Sequence, residues 1–160
     1  MTTALSYLEN CLFCRISAGS EKAWRVWEDE GHLAVLTPFP SVVGFTVVLT
    51  KAHRPSYVFD LNDGDFQGLF LAAREVGKLL DRALGVQRTA LMAEGMGVDH
   101  AHLKLMPLYG ISHGTWSPMT SELKVVYQRY QGYISSHDGV RVPDADLDAI
   151  ATRVRRAYAP

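Results

Sequence analysis

His100, His102 and Lys104 stand two residues apart within the segment 97–107, Gly-Val-Asp-His-Ala-His-Leu-Lys-Leu-Met-Pro. Polar and apolar residues alternate there with period two, which predicts a β-strand. Alternate side chains of a strand share a face, so the two imidazoles and the ammonium form a row with neighbours ~6.5–7 Å apart. Ala101, Leu103 and Leu105 point the other way, into a core. Such a row is a poor core surface and a good place to hold a metal or attack a phosphate. The second chemical feature is the pair Cys11 and Cys14, the only two cysteines of the chain. Residues 1–10 have neither a basic start nor an apolar stretch, so no secretory leader is expected. The expected setting is the cytoplasm, where structural disulfides are rare. The pair then reads as metal ligands or redox-active thiols. A thioredoxin-like role is disfavoured, because no strand precedes Cys11 to present the thiols at a helix start.

The elements that must position these groups are readable from periodicity and turn residues. Trp24–Glu28 and 33–36 read as short strands around a turn at Asp29-Glu30-Gly31. Two prolines make 37–41 a loop. The β-branched run 45–49 is a central strand. The stretch 65–84 is the best helix: Phe66, Leu69, Phe70, Ala73, Val76, Leu80 and Leu84 recur at helical spacing, with Asn62 or Asp63 as cap and Gly85 as stop. A strand over 88–93 runs into Glu94-Gly95-Met96-Gly97 and forms a hairpin with the histidine strand. Residues 125–135 fit a strand or a short helix equally. A C-terminal helix is expected over 144–157, with Arg153, Arg155 and Arg156 favourably near its end. The class is α+β: an antiparallel sheet of about five strands with a long helix and a C-terminal helix, in a single domain over 1–160.

The 160 residues, 48% hydrophobic and 21% charged, suit one soluble domain with a real core. A net charge of −1 gives no field for nucleic acid, and no basic patch is interleaved with aromatics. The absence of an 18-residue apolar run argues against a membrane span.

Several segments, in order, resemble the histidine triad (HIT) superfamily of nucleotide hydrolases and transferases. Cys11-Leu12-Phe13-Cys14-Arg15-Ile16 resembles the family's opening Cys-x-Phe-Cys-x-Ile. Trp27-Glu28-Asp29 and His32-Leu33-Ala34-Val35 are similar to its first hairpin. Gly44-Phe45-Thr46-Val47-Val48-Leu49 with Lys51 and His53 resembles Gly-His-x-Leu-Val-Ile-Pro-Lys-x-His. His100 to Pro107 resembles the signature His-x-His-x-His followed by apolar residues and Pro. The match covers about 11–107, and the extension over 108–160 carries no assignable motif. The departures are specific. Lys104 replaces the third signature His. Met96 and Gly97 replace a phosphate-contacting Gln and Ser or Thr. Ala93 stands for an Asn, and Thr37 for an Asp that binds ribose hydroxyls. The uridylyltransferase branch carries Gln at the third position and is still catalytic.

The resemblance implies roles. His102 is the nucleophile that attacks the α-phosphorus of a nucleotide and forms a nucleotidyl-histidine. Lys104 next to it would lower its pKa and neutralise a phosphate oxygen. Lys104 is a poorer proton donor than imidazolium, which leaves His113 or the substrate to protonate the leaving group. Cys11, Cys14, His53 and His100 match the four ligands of zinc-bearing relatives and suit a closed, structural Zn²⁺. Leu33, Val35, Thr37 and Phe39 line the base and ribose site by position, although Leu33 and Val35 equally fit a core. Gly97 and its neighbours would turn backbone N–H groups to phosphate, or form a plain turn. Candidate substrates are dinucleoside polyphosphates, nucleoside phosphoramidates and other diphosphate-linked nucleotides. Family analogy adds a homodimer. Two other readings stand beside this one: a nucleotide-binding domain without turnover, suggested by Lys104, Ala93, Met96 and Gly97, and a metal-binding domain in which His100 and His102 both ligate.

Overall fold

Residues 6–111, 114–132 and 145 are described by a computed structural model of the chain. The chain divides into two compact units, 1–114 and 115–160. The first unit runs α1 (Leu12–Ala18), β1 (Trp24–Glu28), β2 (His32–Leu36), β3 (Thr46–Thr50), a 3₁₀ turn at Val58–Asp60, α2 (Asp63–Leu84), β4 (Thr89–Met92) and β5 (His102–Pro107). The strands form one antiparallel sheet in the order β1-β2-β3-β5-β4. This is the expected α+β class. Among the described residues of the second unit, 115–132 hold no helix or strand, so 125–132 is neither of the two alternatives expected there. The expected helix over 144–157 lies, apart from Ala145, outside the described residues. No described helix is long and apolar enough to cross a membrane.

Local chemistry explains the elements. Asp29 turns the β1–β2 hairpin, its Oδ1 accepting from Gly31 N at 2.8 Å and His32 N at 2.6 Å. Asn62 caps α2 by accepting from Asp65 N at 3.0 Å, which satisfies one of the orphan donors of the first turn. The apolar stripe of α2 buries Leu69, Ala72, Ala73, Val76 and Leu80. That stripe packs on Ala34, Val48, Ala101, Leu103 and Leu105 of the sheet.

Register decides what the opposite face carries. Leu33 lies across from Leu49, and Leu49 from His102. Val35 lies across from Val47, Val47 from Lys104, and Lys104 from Met92. Directly opposed residues share a face, so His102 ends one cross-strand row of apolar side chains and Lys104 lies within another, between Val47 and Met92. A short helix covers that face: Phe13 and Ile16 of α1 pack with Leu33, Val35, Val47 and Leu49. Gly19 stops α1 at φ 80°, with its N–H bonded back to Ile16 O at 3.1 Å.

Two expectations need correction. Strand β5 begins at His102, two residues after His100, and the connection from β4 occupies 93–101 rather than a tight turn. Tertiary bonds hold that connection in place of a ladder: Ala101 N donates to Arg54 O at 2.8 Å, and Ser56 N to Asp99 Oδ1 at 3.0 Å. The histidine face is also no open surface. His100 is 0% exposed and His102 3%, because α1 lies over them.

Candidate active site and metal centre

The segment before β5 turns the His100 ring toward the start of α1. Its Nδ1 lies 3.3 Å from Cys11 Sγ and 3.6 Å from Cys14 Sγ, and His53 Nδ1 lies 3.6 Å from Cys14 Sγ. The four ligand atoms are all within 4.8 Å of one another. Zn–S and Zn–N bonds of about 2.3 and 2.0–2.1 Å place sulfur and nitrogen about 3.6 Å apart on a tetrahedron. The donor set and its spacing therefore fit a four-coordinate zinc, with Cys11, Cys14, His53 and His100 as its ligands. His100 is oriented for the task from behind. Its Nε2 sits 2.7 Å from Thr50 O, so Nε2–H donates and Nδ1 keeps its lone pair for a metal. Burial pushes the pKa of His100 down to about 4, against the Thr50 hydrogen bond. Burial likewise pushes the Cys14 thiol up.

His102, the next side chain along, is held differently. Its Nδ1 lies 2.7 Å from the carbonyl of His100. A carbonyl only accepts, so Nδ1 carries the proton and the lone pair lies on Nε2. Burial holds the pKa of His102 below its ordinary value, which keeps the imidazole neutral at pH 7. The expected cause was a nearby Lys104 charge; desolvation takes that place. The edge of Phe13 meets both rings, with centroids 5.7 Å from His100 and 5.2 Å from His102. Phe13 sits between the two cysteines, so the metal cluster and the cover over His102 are parts of one short helix.

Lys104 is half-buried, and its ammonium is in contact with the carboxylate of Glu94. Its pKa is lowered by burial.

The remaining sequence-derived candidates divide. Leu33 is 0% exposed and Val35 4%. Both pack with Phe13 and Ile16, so they are core residues beneath α1. Thr37 and Phe39 stay in the loop after β2, where Thr37 Oγ1 accepts from Phe39 N at 3.2 Å and Phe39 is 88% exposed. Gly97 is exposed on the β4–β5 connection. His113 lies outside the described residues. His102 is not among the clustered ligand atoms, so the arrangement does not support joint ligation by His100 and His102. Reasoning from the sequence missed Thr50, Glu94 and the orienting part of Phe13. Only Phe13 had a local signal, its place inside Cys-x-Phe-Cys.

A small antiparallel sheet with a long helix on one face, a short cysteine-bearing helix on the other, and a buried His-x-His at the head of the inner strand defines a class. The chain belongs to that class, the histidine triad (HIT) family. It is 31% identical over 111 residues to the Protein hit of Bacillus subtilis (strain 168), covering 66% of this chain and 76% of that one. A HIT family hydrolase from Legionella pneumophila Philadelphia 1 superposes with TM-score 0.54 at 30% identity, over 69% of this chain and 100% of that chain. A Zn-bound histidine triad family protein from Mycobacterium smegmatis superposes with TM-score 0.59 at 24% identity, over 63% of this chain and 76% of that chain. No family model matches the chain.

Proposed function

We propose that the protein is a nucleotide hydrolase or nucleotidyltransferase that works through a covalent nucleotidyl-His102 intermediate. The observation that carries this reading is the bond from His102 Nδ1 to the His100 carbonyl. It fixes the tautomer, aims the ring, and leaves a neutral Nε2 as nucleophile. The HIT family hydrolase among the similar structures supports the reaction class.

In the first step Nε2 attacks the α-phosphorus of a nucleotide. A P–N bond forms, and the bond from phosphorus to the leaving group breaks with its electron pair. The imidazole is already protonated at Nδ1, so the phosphorylated ring is cationic, and the His100 carbonyl stabilises that charge. In the second step water or another acceptor attacks phosphorus, the P–N bond breaks, and neutral His102 returns. Lys104 acts as a cation beside the phosphoryl oxygens. Thr37, Phe39 and the backbone around Gly97 are the proposed nucleotide contacts; Leu33 and Val35 support them from the core.

Cys11, Cys14, His53 and His100 are proposed to hold a structural zinc. The Zn-bound relative supports that identity, and the closed donor set leaves no open position for activated water. Bound zinc would supply a cross-link between α1 and the head of β5.

The test is intact mass spectrometry after mixing the protein with a nucleotide panel that includes dinucleoside polyphosphates and a nucleoside phosphoramidate, with product assays in parallel. An adduct of one nucleoside monophosphate, absent in His102→Ala, is expected. The same variant should lose turnover by at least about 10³-fold while keeping its fold and zinc. Unchanged activity in His102→Ala would sink the nucleophile assignment.

A further inference from the structure

The cysteine pair has a second chemistry beside metal binding. Cys11 directly precedes α1 and Cys14 lies one turn further on. Residues three apart along a helical turn have Cα atoms about 5 Å apart, inside the span of about 4.4–6.8 Å that a disulfide bridges. The four clustered ligand atoms all lie within 4.8 Å of one another, and the two sulfurs are the members of that set that can also bond to each other. The two thiols differ in access. Cys11 is half-buried, whereas Cys14 has no exposed surface. A small oxidant therefore meets Cys11 first, with Cys14 behind it.

The two ends of α1 are held by different means. At the far end Arg25 Nη2 donates to Ile16 O at 2.6 Å and to Ser17 O at 3.2 Å, bonds that do not depend on sulfur. The near end has no side-chain cap bond, and the sulfurs there face His53 and His100. What the sulfurs do reaches His102 by two short routes. Phe13 stands between the cysteines, and its ring centroid lies 5.2 Å from that of His102. His100 faces the sulfurs through Nδ1, and its own carbonyl accepts from His102 Nδ1.

We propose that Cys11 and Cys14 form a thiol switch: a hydroperoxide closes them into a disulfide, releases zinc and silences His102. This inference rests on the covalent reading of His102 and on zinc at the four clustered ligands, and it adds regulation to that site. In the first step Cys11 Sγ attacks one oxygen of the hydroperoxide. The O–O bond breaks, an alcohol or water leaves, and Cys11 becomes a sulfenic acid. Cys14 Sγ then attacks Cys11 Sγ, the S–S bond forms, the S–O bond breaks, and the oxygen leaves as water. The two sulfurs are oxidised by two electrons in total and the peroxide is reduced by two. Two protons, drawn from solvent when the cysteines are thiolates, complete the products. Two imidazoles remain, too few for a closed tetrahedral site. A disulfide within one turn closes a very short loop and ties α1 to no other element, so it does not replace the lost link to His53 and His100. A thiol reductant reverses the bond by exchange.

The experiment treats the zinc-loaded full chain with hydrogen peroxide near stoichiometry. About one zinc ion per chain should pass to a chromogenic chelator. In step with it, the intact mass should lose two hydrogens, and peptide mapping should find Cys11 joined to Cys14. Turnover on the nucleotide panel should fall by at least about tenfold, together with the His102 adduct. A dithiol reductant with added zinc should restore both. Cys11→His keeps a nitrogen donor and removes the partner sulfur, so the zinc that this variant carries should stay bound at the same peroxide dose. Zinc retained with both thiols free would overturn the proposal. So would sulfinic or sulfonic acids that the reductant does not reverse, or zinc leaving Cys11→His as readily as the parent. A disulfide and zinc release with turnover unchanged would overturn the switch and leave the catalytic reading standing. No turnover and no adduct before peroxide is added would remove the catalytic reading, and this one with it.

Discussion

Cys14 has no exposed surface, and burial pushes its thiol above the ordinary range. A buried neutral thiol facing two imidazoles gains little by itself. A zinc ion displaces the proton and converts both cysteines into charged ligands, so metal binding becomes folding free energy. The parent should hold about one zinc ion per chain, and Cys14→Ser should abolish its retention. The variant should also melt lower, by roughly 4–8 °C for a loss of about 2 kcal/mol. Elemental analysis and calorimetry check both, and a parent protein without metal would refute the site. At this scale much was legible beforehand. Cys11, Cys14, His53 and His100 are the ligand set that the family resemblance implies, and the structure brings their ligand atoms together. Glu94 was not, because its partner Lys104 lies ten residues away and nothing local marks an acid in a Gly-rich connection as an ion-pair member. Leu33 and Val35 were legible as apolar residues. What covers them was not, since that depends on where α1 settles.

At the scale of elements, the long helix and the strands came close to expectation because their patterns are long or flanked by strong turn residues. α2 begins at Asp63, capped by Asn62, and ends before Gly85. The short helix α1 was missed. It has seven residues and no side-chain cap bond, too little for propensity alone to hold it. Its stability comes from Phe13 and Ile16 against the sheet, and from the cysteines when metal is bound. The head of β5 misled for the opposite reason. Residues 97–101 alternate like a strand, yet bonds to Arg54 and Ser56 take up their backbone and carboxylate. Two substitutions test this division. Leu103→Ala removes a side chain with 0% exposure on the α2 face, and should destabilise by about 2–5 kcal/mol through the cavity it leaves. Gly95→Ala asks for a positive φ and a contact of 2.7 Å with a backbone oxygen. It should cost about 2 kcal/mol or more. Denaturant melts give the two stabilities, and a Gly95→Ala protein as stable as the parent would mean that the 94–95 segment is not held against Ser56.

The whole molecule places its chemistry early in the chain. Both buried clusters draw their residues from Phe13 to Leu105, and the four clustered ligands lie between Cys11 and His100. The compact unit that contains them ends at Gly114. Described residues from 115 to 132 are exposed, Ser121 alone being half-buried, and none belongs to either cluster. A chain cut after Gly114 keeps the described residues of both clusters and all four clustered ligands. A domain of that length buries roughly two thirds of its unfolded surface, and zinc held by the four ligands would add a cross-link between α1 and the sheet. The truncated protein should melt in one cooperative transition, retain zinc at the parent's stoichiometry, and still lose it in Cys14→Ser. If its turnover also survives, with the His102 adduct, residues after 114 are dispensable for the chemistry. If zinc and cooperative melting survive but turnover falls, the second unit contributes to substrate handling rather than to the fold. A truncated chain that neither melts cooperatively nor binds zinc would make the fold a property of the full 160 residues.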